Sequence, residues 1–301
     1  MDSAPRPSLA QWLATPDRVG GISALAQGWR DLDITLTLAP TGPADSAFGA
    51  HLRRSFLAAL APGASDAARN GKPCPWTPPC ALDVFLREQL RAGGDGLPKP
   101  YVLFWDQQGQ VMQVTLRIYG TACDWGAAAA EALTAALRDL PWSKALHCVP
   151  PRLIHRDVAP APWVDIPEGP LTLRLISPMD DEGGKPGDTR DIAARMLSRA
   201  LRRVDALARW QGLALADDTL RALTAEIHSI RAQEIHLTLG QRMSPNAKGQ
   251  KRASRVLTGR LNLPPLPPDL RLVLALASRC HIGRHTNEGL GRVEVSPLGQ
   301  G

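Results

Sequence analysis

The segment before the last predicted strand, residues 274–295 (LALASRCHIGRHTNEGLGRVEV), combines glycines with cationic side chains. Those residues are Gly283, Gly289, Gly291, Arg284, His285 and Arg292. Glycine lets a backbone approach a phosphate closely and present N–H groups to it, and the side chains add positive charge. The alternative is a tight turn that leads into a strand. No strand precedes the segment and no helix follows it, so it is not a dinucleotide-binding fingerprint.

Two other basic groups have a spacing that suits phosphate binding. On the predicted helix 189–212 four arginines share one face, opposite Leu197, Leu201, Val204 and Leu207: Arg195, Arg199, Arg202 and Arg209. The loop QRMSPNAKGQKRASR joins two predicted strands and carries Arg242, Lys248, Lys251, Arg252 and Arg255. We expect both groups to contact a polyanionic partner, of which RNA and DNA are the commonest. For the helix, a solvated arginine-rich face is the alternative.

The overall charge agrees with an anionic partner. The chain has 301 residues and a net charge of +6. From Gly240 onward, ten Lys and Arg stand against three Asp and Glu, so the surplus is concentrated there. A basic module on a neutral body favours RNA or DNA. An anionic membrane surface is less favoured, because no basic helix with exposed Trp or Phe accompanies the surplus.

The N-terminus and the cysteines predict a cytoplasmic protein. No apolar run approaches the 18 residues of a membrane span, and the first residues lack the apolar block of a secretory signal. The five cysteines are an odd number at irregular spacing, which predicts free thiols. Cys74 and Cys80 have no second pair, so a zinc site is not expected.

The elements that must position these residues repeat a pattern. In the first half, DLDITLTLAP predicts a strand by its alternation, and AFGAHLRRSFLAALA predicts a helix with an apolar face. That face consists of Phe48, Leu52, Phe56 and Leu60. Both halves read as β-α-β-β-α-β around a proline-rich boundary. We therefore predict an α+β chain of two tandem ferredoxin-like domains, 1–160 and 171–301, with the Arg-rich helix as a helical insertion in the second.

These motifs together resemble a known family. HIGRHTNEGLGRVEV, LTLGQRM…KRASRVLTGRLNL, VMQVTLRIYGTA and GAHLRRSFLAAL are similar to segments of the CRISPR precursor-crRNA-processing endoribonucleases, members of the repeat-associated mysterious protein (RAMP) superfamily. The resemblance implies two tandem ferredoxin-like domains and metal-independent cleavage within a repeat RNA. It also implies a hairpin repeat RNA and the mature crRNA as partners, with retention of the product in an effector complex. His281 stands where the family more often has a first glycine.

Metal-free cleavage of RNA defines the residues that such an enzyme needs. The ribose 2′-hydroxyl is the nucleophile, so a base, an acid and a cation are required and no cofactor is expected. Imidazole and guanidinium suit these roles. The predicted catalytic residues are His51, Arg53, Arg54 and Arg242. The alternatives are a packing role for His51, ion pairing for the arginines, and a non-catalytic crRNA-binding subunit. His281 and His285, which flank the glycines, are expected to contact RNA.

Overall fold

Two four-stranded antiparallel sheets organise the chain, one in each half. The computed structural model describes residues 8–39, 44, 47–90, 96–140, 152–181, 191–245 and 251–299. The strands are β1 (Arg18–Gly20), β2 (Asp31–Ala39), β3 (Gln89–Leu90), β4 (Gly96–Leu97), β5 (Tyr101–Gln108), β6 (Val111–Tyr119), β7 (Arg152–Ala159), β8 (Leu171–Asp180), β9 (Leu213–Leu215), β10 (Glu234–Pro245), β11 (Lys251–Leu263) and β12 (Val293–Pro297). The helices are α1 (Leu9–Ala14), α2 (Ile22–Gln27), α3 (Phe48–Leu60), α4 (Asp66–Arg69), α5 (Ala81–Leu86), α6 (Gly126–Asp139), α7 (Ile192–Ala208), α8 (Asp217–Ser229) and α9 (Pro268–Cys280).

The first sheet has the strand order β5-β6-β2-β7, and α3 packs against α6 beside it. Alternation in β2 buries Ile34, Leu36 and Leu38, as the sequence predicts. The predicted apolar face of α3 is also buried, because residues four apart lie on one side of a helix. With α3 and α6 as crossovers, this half is ferredoxin-like.

The second sheet has the equivalent order β10-β11-β8-β12. Helix α7 follows the first of its strands in sequence, and α9 connects β11 to β12. The Arg-rich helix, predicted to be the insertion, is α7, the first crossover helix of this half. The helical insertion consists instead of α8 and the short β9, between α7 and β10. The apolar residues predicted for the inner face of α7 are all buried. The fold class is therefore confirmed: two tandem ferredoxin-like halves with a helical insertion in the second.

The N-terminal segment packs on the second half. The proline-rich sequence predicts no element there, yet the segment forms α1, β1 and α2. Strand β1 pairs in parallel with β9, and α2 contacts α9. Leu13, Ile22 and Leu25 are buried in the core, which explains why this segment is ordered.

Buried polar contacts join the two halves. Arg279 of α9 pairs with Asp31 of β2 at 2.5 Å, and their side chains are only 4% and 2% exposed. Tyr119 Oη donates to the Arg279 carbonyl oxygen at 2.9 Å. At Gly120, an added Cβ would lie 1.8 Å from the Trp210 carbonyl oxygen, so only glycine permits this approach. The halves therefore meet at a buried, specific interface. Within the described residues, no helix is long and apolar enough to cross a membrane.

Candidate functional site

The glycine-rich segment, residues 281–292, is a tightly packed loop. His281, Gly283, Gly289 and Gly291 all have positive φ, between 61° and 89°. An added Cβ at Gly291 would lie 1.8 Å from the Ile282 carbonyl oxygen. The N–H groups of Gly289 and Gly291 donate to the Thr286 and Pro178 carbonyl oxygens. The prediction that these two glycines offer N–H groups to RNA is therefore corrected: they allow close packing.

His281 is part of the core. Its side chain is 1% exposed, its Nδ1 lies 3.2 Å from the Leu290 carbonyl oxygen, and its ring lies 5.4 Å from that of Phe104. Burial, together with the nearby charge of Arg117 and Arg292, holds the pKa of His281 well below 6.5. The predicted RNA contact of His281 is therefore wrong, because the ring cannot reach solvent.

Arg292 also has a structural partner. Its Nη1 donates to both Asp106 carboxylate oxygens, at 2.7 and 2.8 Å, and its guanidinium lies 4.8 Å from the centre of the Phe104 ring. Asp106 and Phe104 belong to β5 of the first half. Arg292 therefore ties the glycine-rich segment to the opposite half, and its contact with RNA stays a prediction.

Three cationic side chains lie within 4 Å of the Glu288 carboxylate. Arg53 Nη1 of α3 lies 3.6 Å from Oε1, while Arg242 Nη2 of β10 and His285 Nδ1 lie 3.3 and 3.7 Å from Oε2. Helix and loop meet closely here, since an added Cβ at Gly49 would lie 2.0 Å from the Glu288 carbonyl oxygen. Two predicted catalytic residues, Arg53 and Arg242, are therefore brought together. Because Arg242 is only 7% exposed, its predicted direct contact with RNA is corrected to support of Glu288.

The charged groups in this cluster shift one another's pKa values. Burial alone would raise the pKa of Glu288, but His285, Arg242 and Arg53 together lower it. Glu288 in turn raises the pKa of His285 against the effect of partial burial, and Asp180 adds to that effect. Asp180 Oδ2 lies 3.9 Å from His285 Nε2. His285 thus lies between two carboxylates, with a side chain that is 44% exposed.

A small cleft of about 380 Å³ opens in front of this cluster. Its polar lining comes from both halves: Glu88, Lys99, Tyr101, Arg203, Arg284, His285 and Asn287. Burial lowers the pKa of Lys99 to about 8, although Glu88 opposes the shift. Sequence reasoning missed Lys99 and Glu288. Glu288 stands inside the glycine motif, but nothing in the sequence pattern places Lys99 in the same cleft as that motif.

A larger cleft of about 1310 Å³ continues from the small one and shares Arg203, Gly283 and Arg284 with it. Its basic lining consists of Arg195, Arg199, Arg202, Arg203, Arg231, Arg284 and His228. Three of the four predicted arginines of α7 therefore face this cleft, as does Arg284. Arg209 is not among the residues that line this cleft: its Nη1 lies 3.4 Å from the Ala14 carbonyl oxygen of α1, so the structure does not bring it together with the other three.

His51 and Arg54 lie on a different side of α3. Arg54 Nη2 is 3.2 Å from His51 Nδ1, and Arg54 Nε donates to the Ala50 carbonyl oxygen. At 100° per residue, His51 points about 160° away from Arg53, which faces Glu288. The structure therefore does not bring His51 to the glycine-rich segment.

The basic hairpin is only partly described. Strands β10 and β11 pair as predicted, as far as Pro245 opposite Lys251. Lys251 and Arg252 lie in β11, and Lys248 falls outside the described residues. Arg255 Nη2 lies 3.4 Å from the Asp181 carbonyl oxygen, where β8 ends beside β11 in the second sheet. RNA contact by the hairpin stays a prediction.

Solved structures with the same architecture are known. No protein-family model matches the chain, and no curated protein matches its sequence. A Cas6 product complex superposes with a TM-score of 0.56 at 16% identity, covering 88% of this chain and all of the other. Thermus thermophilus Cas6 superposes with a TM-score of 0.52 at 13% identity, covering 89% of this chain and 99% of the other. The likeness extends over both ferredoxin-like halves, and the chain therefore has the Cas6 fold.

Proposed function

We propose that the chain is a CRISPR RNA-processing endoribonuclease of the Cas6 type, which cleaves precursor crRNA within its repeat. The observation that carries the proposal is the basic cleft between two Cas6-like halves, which leads to the glycine-rich segment. The fold alone does not define an activity. The cleft adds a surface whose charge and shape suit an RNA backbone.

The arginines of α7 support RNA binding along the larger cleft. Arg202 is exposed, and Arg195 and Arg203 are half-buried along the same wall. Arg199 reaches across to the Asp180 carbonyl oxygen at 2.8 Å and to Asp181 Oδ1 at 3.6 Å, which holds α7 against the end of β8. Seven basic side chains outnumber three carboxylates in the lining of this cleft, those of Glu88, Asp180 and Asp191. A predominantly basic surface of this kind binds phosphates independently of base sequence, and its affinity depends strongly on salt.

The chemistry that this proposal requires is attack of the ribose 2′-hydroxyl on the adjacent phosphate. The products are a 2′,3′-cyclic phosphate and a 5′-hydroxyl. We expect the reaction to need no metal ion. Within the described residues, no group of three or more His, Cys, Asp or Glu is arranged to hold a metal. Independence from metal stays a prediction, which a chelator tests.

The alternative function is a non-catalytic subunit that holds crRNA. One observation favours it. Of the four residues predicted to be catalytic, Arg53 and Arg242 pair with Glu288. The other two, His51 and Arg54, lie on the outer side of α3. An RNA-holding subunit would need only the basic cleft. Under either function we expect the mature crRNA, and further subunits of an effector complex, to be partners.

Incubation with a CRISPR repeat RNA from the same genome, in EDTA, distinguishes the two. The proposal predicts one cut within the repeat and a 3′ end that resists polyadenylation until its cyclic phosphate is removed. Tight, salt-sensitive binding without a cut would establish the non-catalytic alternative. Absence of both would contradict an RNA function.

A further inference from the structure

We propose that His285 and Lys99 are the acid–base pair of the cleavage reaction, with His285 as the proton donor to the leaving 5′ oxygen and Lys99 as the base for the 2′-hydroxyl. This assignment rests on the function proposed above. It differs from the expectation for His51, which lies on the outer side of α3.

Both side chains line the small cleft, and they come from different halves of the chain. His285 comes from the glycine-rich segment of the second half, and Lys99 from the connection between β4 and β5 of the first half. The cleft volume of about 380 Å³ accommodates a phosphate and parts of its two riboses. Because the two clefts share Arg203 and Arg284, an RNA strand bound in the larger cleft can extend into the small one, where both side chains lie.

The surroundings of His285 favour its protonated form. Glu288 Oε2 lies 3.7 Å from Nδ1, and Asp180 Oδ2 lies 3.9 Å from Nε2, beyond hydrogen-bond distance, so Nε2 is the ring nitrogen assigned as the proton donor. The nearby charge of Arg242 opposes the effect of the two carboxylates on the pKa of His285. The balance raises the pKa of the imidazole, so a larger fraction carries the proton at neutral pH. Asp180 is only 3% exposed, whereas His285 faces the cleft. The carboxylates therefore position the ring without blocking its access to RNA.

The pKa of Lys99 is shifted in the opposite direction, which favours the neutral amine. Burial and the charges of Arg53 and Arg87 lower its pKa, against Glu88 and Asp83, to about 8. Its Nζ donates a hydrogen bond to the Leu86 carbonyl oxygen, which fixes the amine at the cleft wall. A lysine with such a pKa has a neutral fraction near pH 7 to 8 and can accept a proton.

The proposed step balances without a metal or cofactor. The neutral Lys99 amine takes the proton of the 2′-hydroxyl, the 2′ oxygen forms a bond to phosphorus, and the bond from phosphorus to the 5′ oxygen breaks. His285 gives its proton to that oxygen. Arg284 and Arg203, which line the same cleft, face the charge that develops on the phosphorane oxygens.

Single-turnover cleavage of the repeat RNA tests both assignments. His285→Asn retains a side chain that tolerates the left-handed backbone at φ 57° but has no transferable proton. Lys99→Arg retains the charge but cannot be deprotonated at working pH. Each should slow cleavage about 10²- to 10⁴-fold, with little change in RNA affinity. His236→Gln, at an exposed His–Glu pair on β10, and Lys72→Arg are the matched controls and should cleave like the wild type.

A second substrate separates an acid from a structural residue. When sulfur replaces the bridging 5′ oxygen at the cut site, the leaving thiolate needs no proton. His285→Asn should then cleave at nearly the wild-type rate, whereas Lys99→Arg should stay slow. A His285→Asn variant that remains equally slow on both substrates would contradict the role of proton donor.

The outcomes keep the assignment distinct from the proposed function. If the wild type cuts repeat RNA and His285→Asn cuts equally fast, the assignment is overturned and the function stands. A loss confined to His51→Ala would transfer the acid–base work to α3 and also overturn it. Failure of the wild type to cut any repeat would overturn the function itself.

Discussion

A single carboxylate, that of Glu288, joins side chains from three parts of the chain. Arg53 reaches it from α3, Arg242 from β10, and His285 from the same loop. Its own pKa is lowered by these cations, so it stays ionised in spite of its burial. At the residue scale, Glu288 therefore controls both the orientation and the protonation of His285.

Replacement of Glu288 should change the pH dependence of cleavage. Glu288→Gln removes the charge that raises the pKa of His285. The change of slope in the pH–rate profile that reports ionisation of His285 should therefore move to lower pH. The change of slope near pH 8 that reports ionisation of Lys99 should stay in place. The measurement is the single-turnover rate from pH 5.5 to 9.5. A profile that keeps its shape while the rate falls uniformly would show that Glu288 acts only through folding.

His281 should make the protein less stable in mild acid. Its folded pKa lies below the unfolded value of 6.5, so the unfolded chain binds an extra proton as the pH falls below 6.5. The free energy of unfolding should therefore decrease from pH 7.5 to 5.5. His285, whose pKa is raised, contributes with the opposite sign. His281→Gly, which suits φ 61°, should lose less stability than the wild type over this interval in denaturant titrations. An equal loss in both would contradict the role given to His281.

At the element scale, the sequence predicts what depends on local periodicity. Alternation identifies β2, and the spacing of apolar residues identifies α3 and α7 together with their buried faces. It does not identify α1, β1 and α2, since these elements are short and are stabilised by contacts with the second half. Tertiary packing determines the structure of this segment, and a local sequence pattern carries no information about that packing.

The same limit applies to the site. The glycines predict a special loop correctly, but whether their N–H groups face a ligand or a carbonyl depends on strands elsewhere in the chain. Arg53 and Glu288 are 235 positions apart, and no spacing rule predicts their meeting. Arg195, Arg199 and Arg202 are found because helical periodicity alone puts them on one face.

The arginine face of α7 should contribute to RNA affinity in a salt-dependent way. Arg195→Gln with Arg202→Gln should weaken binding of repeat RNA and reduce the slope of log affinity against log salt by about 1 for each phosphate that is no longer neutralised. Arg209→Gln, at the end of the same helix but directed to α1, is the matched variant and should leave the slope unchanged. If Arg209→Gln reduced the slope as much, per arginine removed, as Arg195→Gln with Arg202→Gln does, net charge and not the arginine face of α7 would determine binding.

At the scale of the whole molecule, the interface between the halves sets the width of the cleft. Arg279 and Asp31 form a buried pair there, and Arg292 with Asp106 forms another contact beside the glycine-rich segment. Gly120 allows the two backbones to touch. Since Lys99 and His285 come from different halves, a fixed interface keeps their separation constant.

Disruption of that interface should be costly. Arg279→Met leaves Asp31 buried without its partner, which typically costs about 3–5 kcal/mol of unfolding free energy. The exposed pair of Arg174 and Glu294 is the control, since Arg174→Met should change stability by less than about 1 kcal/mol. Urea denaturation measures both. Equal, small effects would show that Arg279 does not hold the halves together.

The central claim is that this Cas6 fold cleaves RNA through the ribose 2′-hydroxyl. The most direct test compares, in EDTA, a repeat RNA with a copy that carries a single 2′-deoxy nucleotide immediately 5′ of the cut. We predict cleavage of the first, and tight binding without cleavage of the second. Cleavage of both at the same position would contradict 2′-hydroxyl chemistry. Cleavage of neither would contradict the proposed endoribonuclease activity.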